Sequence, residues 1–271
     1  RSTLFPYTTL FRSMFTLKEE KKCNELTGKE WLQNSFSIWR NLTKTKEEKA
    51  LPHPASFPIS LCEKVIKTFS PMNATVIDPF VGVGSTIVAA EFLHRKAVGI
   101  DLSQVFCDIA SSRISGDDVK IYNGNCADII PTLEDNSFDL CFTSPPYWDI
   151  LNMKHSADKK AAVNYSNHMN DLGNISDYAT FLEQLGHVFA LMRPKLKEKA
   201  YCIVNVMDLR KKSVFFPFHI DFTTKMQEIG YTLDDMIIWD RQQEYNNMRP
   251  LGYPYKFRIN KVHEYLLIFT K

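Results

Sequence analysis

Four places in this sequence combine residue type and spacing in ways that chemistry uses. The most specific is Thr143-Ser144-Pro145-Pro146-Tyr147-Trp148, directly after the apolar run FDLCF. Consecutive prolines stop a strand, hold the backbone rigid and turn carbonyls outward. A rigid carbonyl beside an aromatic face suits a base amino group: the carbonyl accepts from the N–H while the ring of Tyr147 stacks on the base. A simple exposed turn is the competing reading. The second place is Asp78-Pro79-Phe80-Val81-Gly82-Val83-Gly84-Ser85-Thr86. Glycines here let a ligand approach the backbone, and a helix starting at Ser85 offers free N–H groups to an anion. It is no phosphate loop, and Ile87 stands where the third glycine of a dinucleotide fingerprint belongs. A structural strand-to-helix turn is the alternative. Third, Asp101 ends KAVGID roughly 20 residues after those glycines, where a second-strand carboxylate meets ribose hydroxyls; capping the helix near Ser103 is an equal reading. Fourth, Asp128 in NGNCADI either accepts from an adenine amino group or serves as a helix cap.

These residues need a scaffold that gathers strand ends. From Ile59 the chain alternates helical stripes with short apolar runs: ISLCEKVIKTF, ATVIDPF, STIVAAEFL, KAVGID, SQVFCDIASSRI, VKIYNGN and SFDLCF. The helix DYATFLEQLGHVFALMRP, the strand KAYCIVNV, the helix FPFHIDFTTKMQEIG and the strands YTLDDMIIW and HEYLLIFTK complete the series. Alternation of this kind predicts an α/β fold with a parallel sheet covered on both faces. Seven strands are expected. The last two have no helix between them, which predicts an antiparallel edge strand. In such open sheets ligands bind at the carboxyl ends of the strands. The polar stretch Lys18–Lys49, with Trp31, Phe36 and Trp39, reads as one or two helices, and Pro52, Pro54 and Pro58 mark the link that follows.

With 271 residues, the chain can hold one large domain with a sizeable core. It contains no apolar run of 18 residues and no secretory-signal layout, so a membrane anchor is not expected. Six scattered cysteines without C-x-x-C spacing argue against a disulfide framework or a zinc site, and a reducing, cytoplasmic setting fits. No histidine shows metal-ligand spacing, and none of the candidate residues requires a metal. Residues 1–13, RSTLFPYTTLFRS, resemble the translation of a sequencing adaptor, with Met14 as the natural start; a disordered native arm is the alternative. That segment carries Arg1 and Arg12 and no acid, so without it the formal net charge falls from +2 to zero. Nucleic-acid binding would then rest on local basic patches.

Taken together, the motifs resemble the amino-methyltransferase branch of the S-adenosylmethionine-dependent DNA methylases, which covers cytosine N4 and adenine N6. DPFVGVGST resembles the family's cofactor loop, AVGID its ribose-binding strand and TSPPYW its catalytic motif. HPASFPISLCEKVI resembles the segment that closes over the methionine end of the cofactor. The similarity covers about Leu51 to Lys271. One departure is Gly82-Val83-Gly84, where the family more often has G-S-G. The resemblance implies a Rossmann-like class I methyltransferase fold with residues 51–271 as catalytic domain and 14–50 as a helical extension. It also implies S-adenosyl-L-methionine as cofactor. Asp78, Phe80, Gly82 and Gly84 would line its methionine and ribose side, with Ser85 at the helix start. Asp101 would hold the ribose hydroxyls, and Asp128 the adenine. Ser144 and the Pro145 carbonyl would bind the target amino group, Pro146 would keep the turn rigid, and Tyr147 would stack on the flipped base.

Serine before Pro-Pro more often accompanies cytosine N4 in this family, so cytosine is favoured over adenine. RNA or a protein amide is the competing substrate, and a catalytically silent nucleic-acid-binding module the competing class. Carbon-5 methylation needs a cysteine nucleophile, and no Pro-Cys sequence occurs. DNA is the expected partner; a restriction endonuclease partner is compatible but not required. Two loops are long enough to read a site. One runs from Asp149 to Ser176 with Lys154, His155, Lys159, Lys160 and His168. The other runs from Asp240 to Val262 and holds Arg241, Arg249, Lys256 and Arg258, with Tyr245, Tyr253, Tyr255 and Phe257 between the charges. Arginine suits guanine edges and lysine mostly meets phosphates. Solvated loops are the plain alternative, as they are for the run Arg210-Lys211-Lys212.

Overall fold

Helical stripes and apolar runs become helices and strands where their patterns dictate. The computed structural model describes residues 22–53, 55–149, 171–211, 213–245 and 250–271. The segment 1–13, Arg249, and the loop residues Lys154, His155, Lys159, Lys160 and His168 lie outside the described residues.

The first half of the chain runs α1 (Gly28–Asn34), β1 (Ile38–Trp39), α2 (Lys46–Ala50), α3 (Ile59–Phe69), β2 (Thr75–Asp78), α4 (Ser85–Phe92), β3 (Lys96–Asp101), α5 (Gln104–Ser112), β4 (Val119–Asn123), α6 (Cys126–Ile129) and β5 (Phe138–Thr143). After these come α7 (Tyr178–Met192), β6 (Leu196–Val206), β7 (Leu209–Lys211), β8 (Val214–Phe216), α8 (Phe218–Glu228), β9 (Thr232–Asp240) and β10 (His263–Thr270). An eight-stranded sheet takes the order β1-β9-β10-β6-β5-β2-β3-β4, and β7 and β8 form a separate hairpin. Every pairing in the large sheet is parallel except those of β10, which is antiparallel to both β6 and β9.

Two expectations are corrected here. The sheet has eight strands rather than seven, and the antiparallel strand is internal rather than an edge. Leu266 and Ile268 of β10 enter one core, with Val65, Ile66, Ile87, Leu140 and Phe142. Leu267 and Phe269 enter the other, with Phe181, Leu185, Phe189 and Phe222. A strand buried on both faces reads as a continuous apolar run and gains most by pairing along both sides. The outer position goes to β1, where Trp39 is buried and its indole donates to the Asn34 carbonyl at 3.1 Å. Residues 14–50 therefore include a strand of the sheet and are not purely helical. Farther along, Glu48 caps α3 by accepting from the Ile59 N–H at 2.6 Å.

Helices α3 and α4 cover one face of the sheet and α7 and α8 the other. Ile87 is fully buried against the sheet, which explains why a helix contact stands where a dinucleotide loop keeps glycine. Among the described residues no helix is long and apolar enough to cross a membrane, and no group of three or more His, Cys, Asp or Glu is placed to hold a metal.

Candidate active site

The parallel strands end at one edge of the sheet, and β10, running the other way, begins there. Asp78, Asp101, Thr143, Asn205 and Asp240 close β2, β3, β5, β6 and β9 or lie one residue from the close, and Glu264 is the second residue of β10. A cavity of about 730 Å³ lies over this edge. Phe80, Gly82, Ser85 and Asp101 line it, and so do Ser144, Pro145, Pro146 and Tyr147. The glycine loop and the Pro-Pro turn, far apart in sequence, thus share one cavity.

The loop is built by backbone geometry. Gly82 has φ +51° and Gly84 φ +89°, both in the left-handed region. A Cβ at Gly84 would meet that of Ala110 at 2.9 Å, and one at Gly82 would meet His53 Nε2 at 2.9 Å. Asp101 accepts from the Gly82 N–H at 2.9 Å and from the Ser103 N–H at 2.8 Å. Burial raises its pKa, and these two donors oppose the rise. Two amide bonds leave lone pairs on the carboxylate for further donors. The cap of α5 is Ser103, whose Oγ accepts from the Phe106 N–H, so Asp101 ties the loop and does not cap the helix.

Asp78 sits beneath the cavity rather than in its wall. It is 1% exposed and accepts from Thr86 Oγ1 and Thr143 Oγ1, both at 2.6 Å, and from the Phe80 N–H at 3.0 Å. Burial raises its pKa to about 6, against those three donors. Asp128 is also displaced from its expected place. Its exposed carboxylate accepts from Asn125 Nδ2 at 3.1 Å, and the cavity wall there is Gly124, Asn125, Cys126 and Ala127. Burial pushes the Cys126 thiol up to about 12, so it stays neutral.

Two further lining residues were not singled out as site residues from the sequence: His53, which opens the HPASFPISLCEKVI segment, and Lys44. His53 accepts from the Ala55 N–H through Nδ1 at 3.1 Å, which leaves Nε2 protonated toward Gly82. Its pKa is lowered to about 4 by burial and by Lys44. Lys44, from the chain between β1 and α2, also lines the cavity, with its pKa lowered by burial and by Arg241.

At the Ser144-Pro145-Pro146-Tyr147 turn the side chains form a polar cluster. Tyr147 donates to Glu264 Oε2 at 2.8 Å and lies 3.1 Å from Ser144 Oγ. Asn205 Nδ2 donates to the Tyr147 oxygen at 2.9 Å and also to Glu264. A carboxylate only accepts, so the amide nitrogen must face it, and Asn205 Oδ1 is left buried without a partner. Arg241 pairs with Glu264 Oε1 and with Glu244, and its guanidinium lies over Trp239. Arg241, expected to read DNA, lines the cavity. Burial raises the Tyr147 pKa well above that of a free phenol, and the Glu264 charge adds to the effect.

The turn ends in a strained residue. Trp148 has φ +54°, an outlier for a bulky side chain. It is buried against Tyr178 and Phe216, and Lys211 lies 3.8 Å over its ring while pairing with Asp149 at 2.5 Å. Arg210 and Lys211, expected in a solvated loop, belong to β7; Lys211 braces this turn, while Arg210 is exposed over Phe215. Arg258 is half-buried with Nη2 3.3 Å from Ser213 Oγ, while Lys256, Tyr253, Tyr255 and Phe257 are exposed.

Comparison with known proteins bears on this geometry. A family model described as DNA methylase, for N6 and N4 enzymes, matches residues 8–112 and 138–271. A general methyltransferase domain matches residues 80–159. The chain belongs to the N6/N4 DNA methylase family. The Type II methyltransferase M.ScaI of Streptomyces caespitosus is 33% identical over 106 residues, 37% of this chain and 33% of that protein. The orphan methyltransferase M.BamHII of Bacillus amyloliquefaciens is 39% identical over 83 residues, 29% of this chain and 31% of that protein. The matches cover about a third of the length of these curated relatives.

Proposed function

We propose that this protein transfers a methyl group from S-adenosyl-L-methionine to an exocyclic amino group of a DNA base, with cytosine N4 favoured over adenine N6. The observation that carries the reading is the single cavity shared by the glycine loop with Asp101 and the turn Ser144-Pro145-Pro146-Tyr147. The chain fits the cofactor in three respects. Gly82, in the left-handed region and without a Cβ, presents bare backbone in the cavity wall, Asp101 keeps acceptor capacity for ribose hydroxyls, and Phe80 offers an apolar wall. Bound there, the cofactor supplies an electrophilic methyl group.

The chain's own residues do the rest. A base entering this cavity has left its duplex at a cost of a few kcal/mol. Tyr147 stacks on it, and the Pro145 carbonyl and Ser144 Oγ accept from its amino hydrogens. Those bonds favour a tetrahedral nitrogen and free a lone pair otherwise delocalised into the ring. Alignment for in-line displacement is the main contribution. Lys256, Arg258 and Arg249 meet DNA. A restriction endonuclease partner suits the reading but is not needed for methylation.

Incubation with radiolabelled S-adenosylmethionine and either DNA, RNA or protein, followed by nucleoside chromatography of labelled DNA, tests it. N4-methylcytosine is the expected product. N6-methyladenine would overturn the base preference, and label in RNA or protein alone would overturn the DNA reading.

A further inference from the structure

The cluster around Tyr147 has a fixed direction. Glu264 is 4% exposed and paired with Arg241, and a carboxylate in an ion pair can only accept. The Tyr147 proton therefore goes to Glu264 at 2.8 Å in preference to the Asn205 carbonyl at 3.5 Å, since bonds to a charged acceptor are the stronger. The Tyr147 oxygen is left to accept, from Asn205 Nδ2 at 2.9 Å and from Ser144 Oγ at 3.1 Å. Ser144 thus spends its proton inward, on Tyr147 or on the Asn205 carbonyl at 3.4 Å. Its contact from Asn205 Nδ2, at 3.5 Å, is long. A lone pair on Ser144 remains for the cavity.

Resting on the amino-methyltransferase reading above, we propose that Glu264, held by Arg241, is a positioning residue. It sets the direction of the chain through Tyr147 to Ser144 and so keeps Ser144 an acceptor for the target amino group. Arg241 is essential to this arrangement. It donates to Glu264 Oε1, on the side away from Tyr147 and Asn205. A glutamine at 264 would turn its oxygen to Arg241 and its NH₂ to Tyr147. The phenol would then accept from the amide and donate to Ser144, whose proton would keep only the long 3.4 Å contact to the Asn205 carbonyl as an inward acceptor. Each time that weak bond opens, two donors, Ser144 and the amino group, face each other. Phenylalanine at 147 cuts the same chain but keeps the ring.

The test uses the full chain with single substitutions Tyr147→Phe and Glu264→Gln and the double variant. Methyl transfer to unmethylated DNA is measured as kcat and KM, cofactor binding by calorimetry and folding by thermal melts. Each single variant should lose about tenfold or more in kcat, with KM and cofactor affinity unchanged. The double variant should lose no more than the worse single, because both cut one chain. Wild-type kcat in Tyr147→Phe, or additive losses in the double, overturns the proposal while leaving the enzyme reading intact. A wild-type protein that methylates no DNA overturns both. Should Glu264→Gln melt early, Tyr147→Phe carries the same prediction, since it deletes one oxygen and keeps the packing.

Discussion

Thr143 Oγ1 donates to the Asp78 carboxylate at 2.6 Å, joining the last residue of β5 to the last residue of β2. One residue later in each direction the chain makes its two functional turns. Asp78 leads into the glycine loop and Thr143 into Ser144-Pro145-Pro146-Tyr147. The two halves of the cavity are therefore tied through a buried carboxylate that also holds Thr86 at the start of α4.

That carboxylate gives a pH prediction. Its pKa rises from 3.8 to about 6 in the folded protein, so protonation favours folding. The contribution is fully present below about pH 3.8 and is lost as pH rises through about 6. Asp78→Asn removes this dependence. Urea unfolding between pH 4 and 7.5 should show the wild type losing stability relative to the variant, by at most about 3 kcal/mol. A difference that stays flat across that range would contradict the assignment.

Replacing Tyr147 with alanine removes the stacking face as well as the hydroxyl. Cofactor binding should stay close to wild type while methyl transfer falls at least about tenfold, because stacking on a base contributes roughly 1–3 kcal/mol. Turnover measurements on Tyr147→Ala check this, and undiminished turnover would remove the ring from the mechanism.

Asp101→Ala should raise the dissociation constant for S-adenosylmethionine about tenfold or more, since bonds to a charged group contribute about 1.5–3 kcal/mol. The variant also frees the Gly82 and Ser103 amides. Asp101→Asn, which keeps one acceptor oxygen, should lose less. Equal, wild-type affinity in both would reduce Asp101 to a loop tie.

Arg258 and Lys256 sit on the segment that returns to β10, beside exposed Tyr253, Tyr255 and Phe257. Arg258→Ala should cost about 1–3 kcal/mol on the preferred site and relax site preference if it touches a base edge. Lys256→Ala should weaken all sequences alike and reduce the salt dependence. Methylation profiles over a pool of DNA sequences at two salt concentrations separate the two outcomes.

Much of this was legible before the fold. The boundaries of α3 and β3 fall on the apolar stripes that define them. Ser144 and Tyr147 were legible as candidates in local sequence, because prolines fix a turn wherever they stand. Asn205 and Glu264 did not, since their role depends on which strand lies beside which. A single amide in the buried run CIVNV and a single acid, second in the apolar HEYLLIFT, were the available signals. A polar residue in such a strand is costly unless something pairs with it. Asp128 misled because a motif fixes a position along the chain, whereas one turn of α6 decides which side chain faces the cavity. The two-residue β1 has too short a pattern to show.

The reversed course of β10 also has a mechanical side. Arg241 and Glu264 stand at the two feet of residues 242–263, and their ion pair clasps those feet together. The Arg241 N–H adds a backbone bond to the Val262 carbonyl at 2.9 Å. A segment pinned this way can be lengthened, shortened or rewritten in its arch without moving its base. The clasp that bears such change is the same pair of side chains that steadies Tyr147. Under the proposed function, in which this segment meets DNA, altered sequence preference and an undisturbed pocket can therefore coexist in one chain.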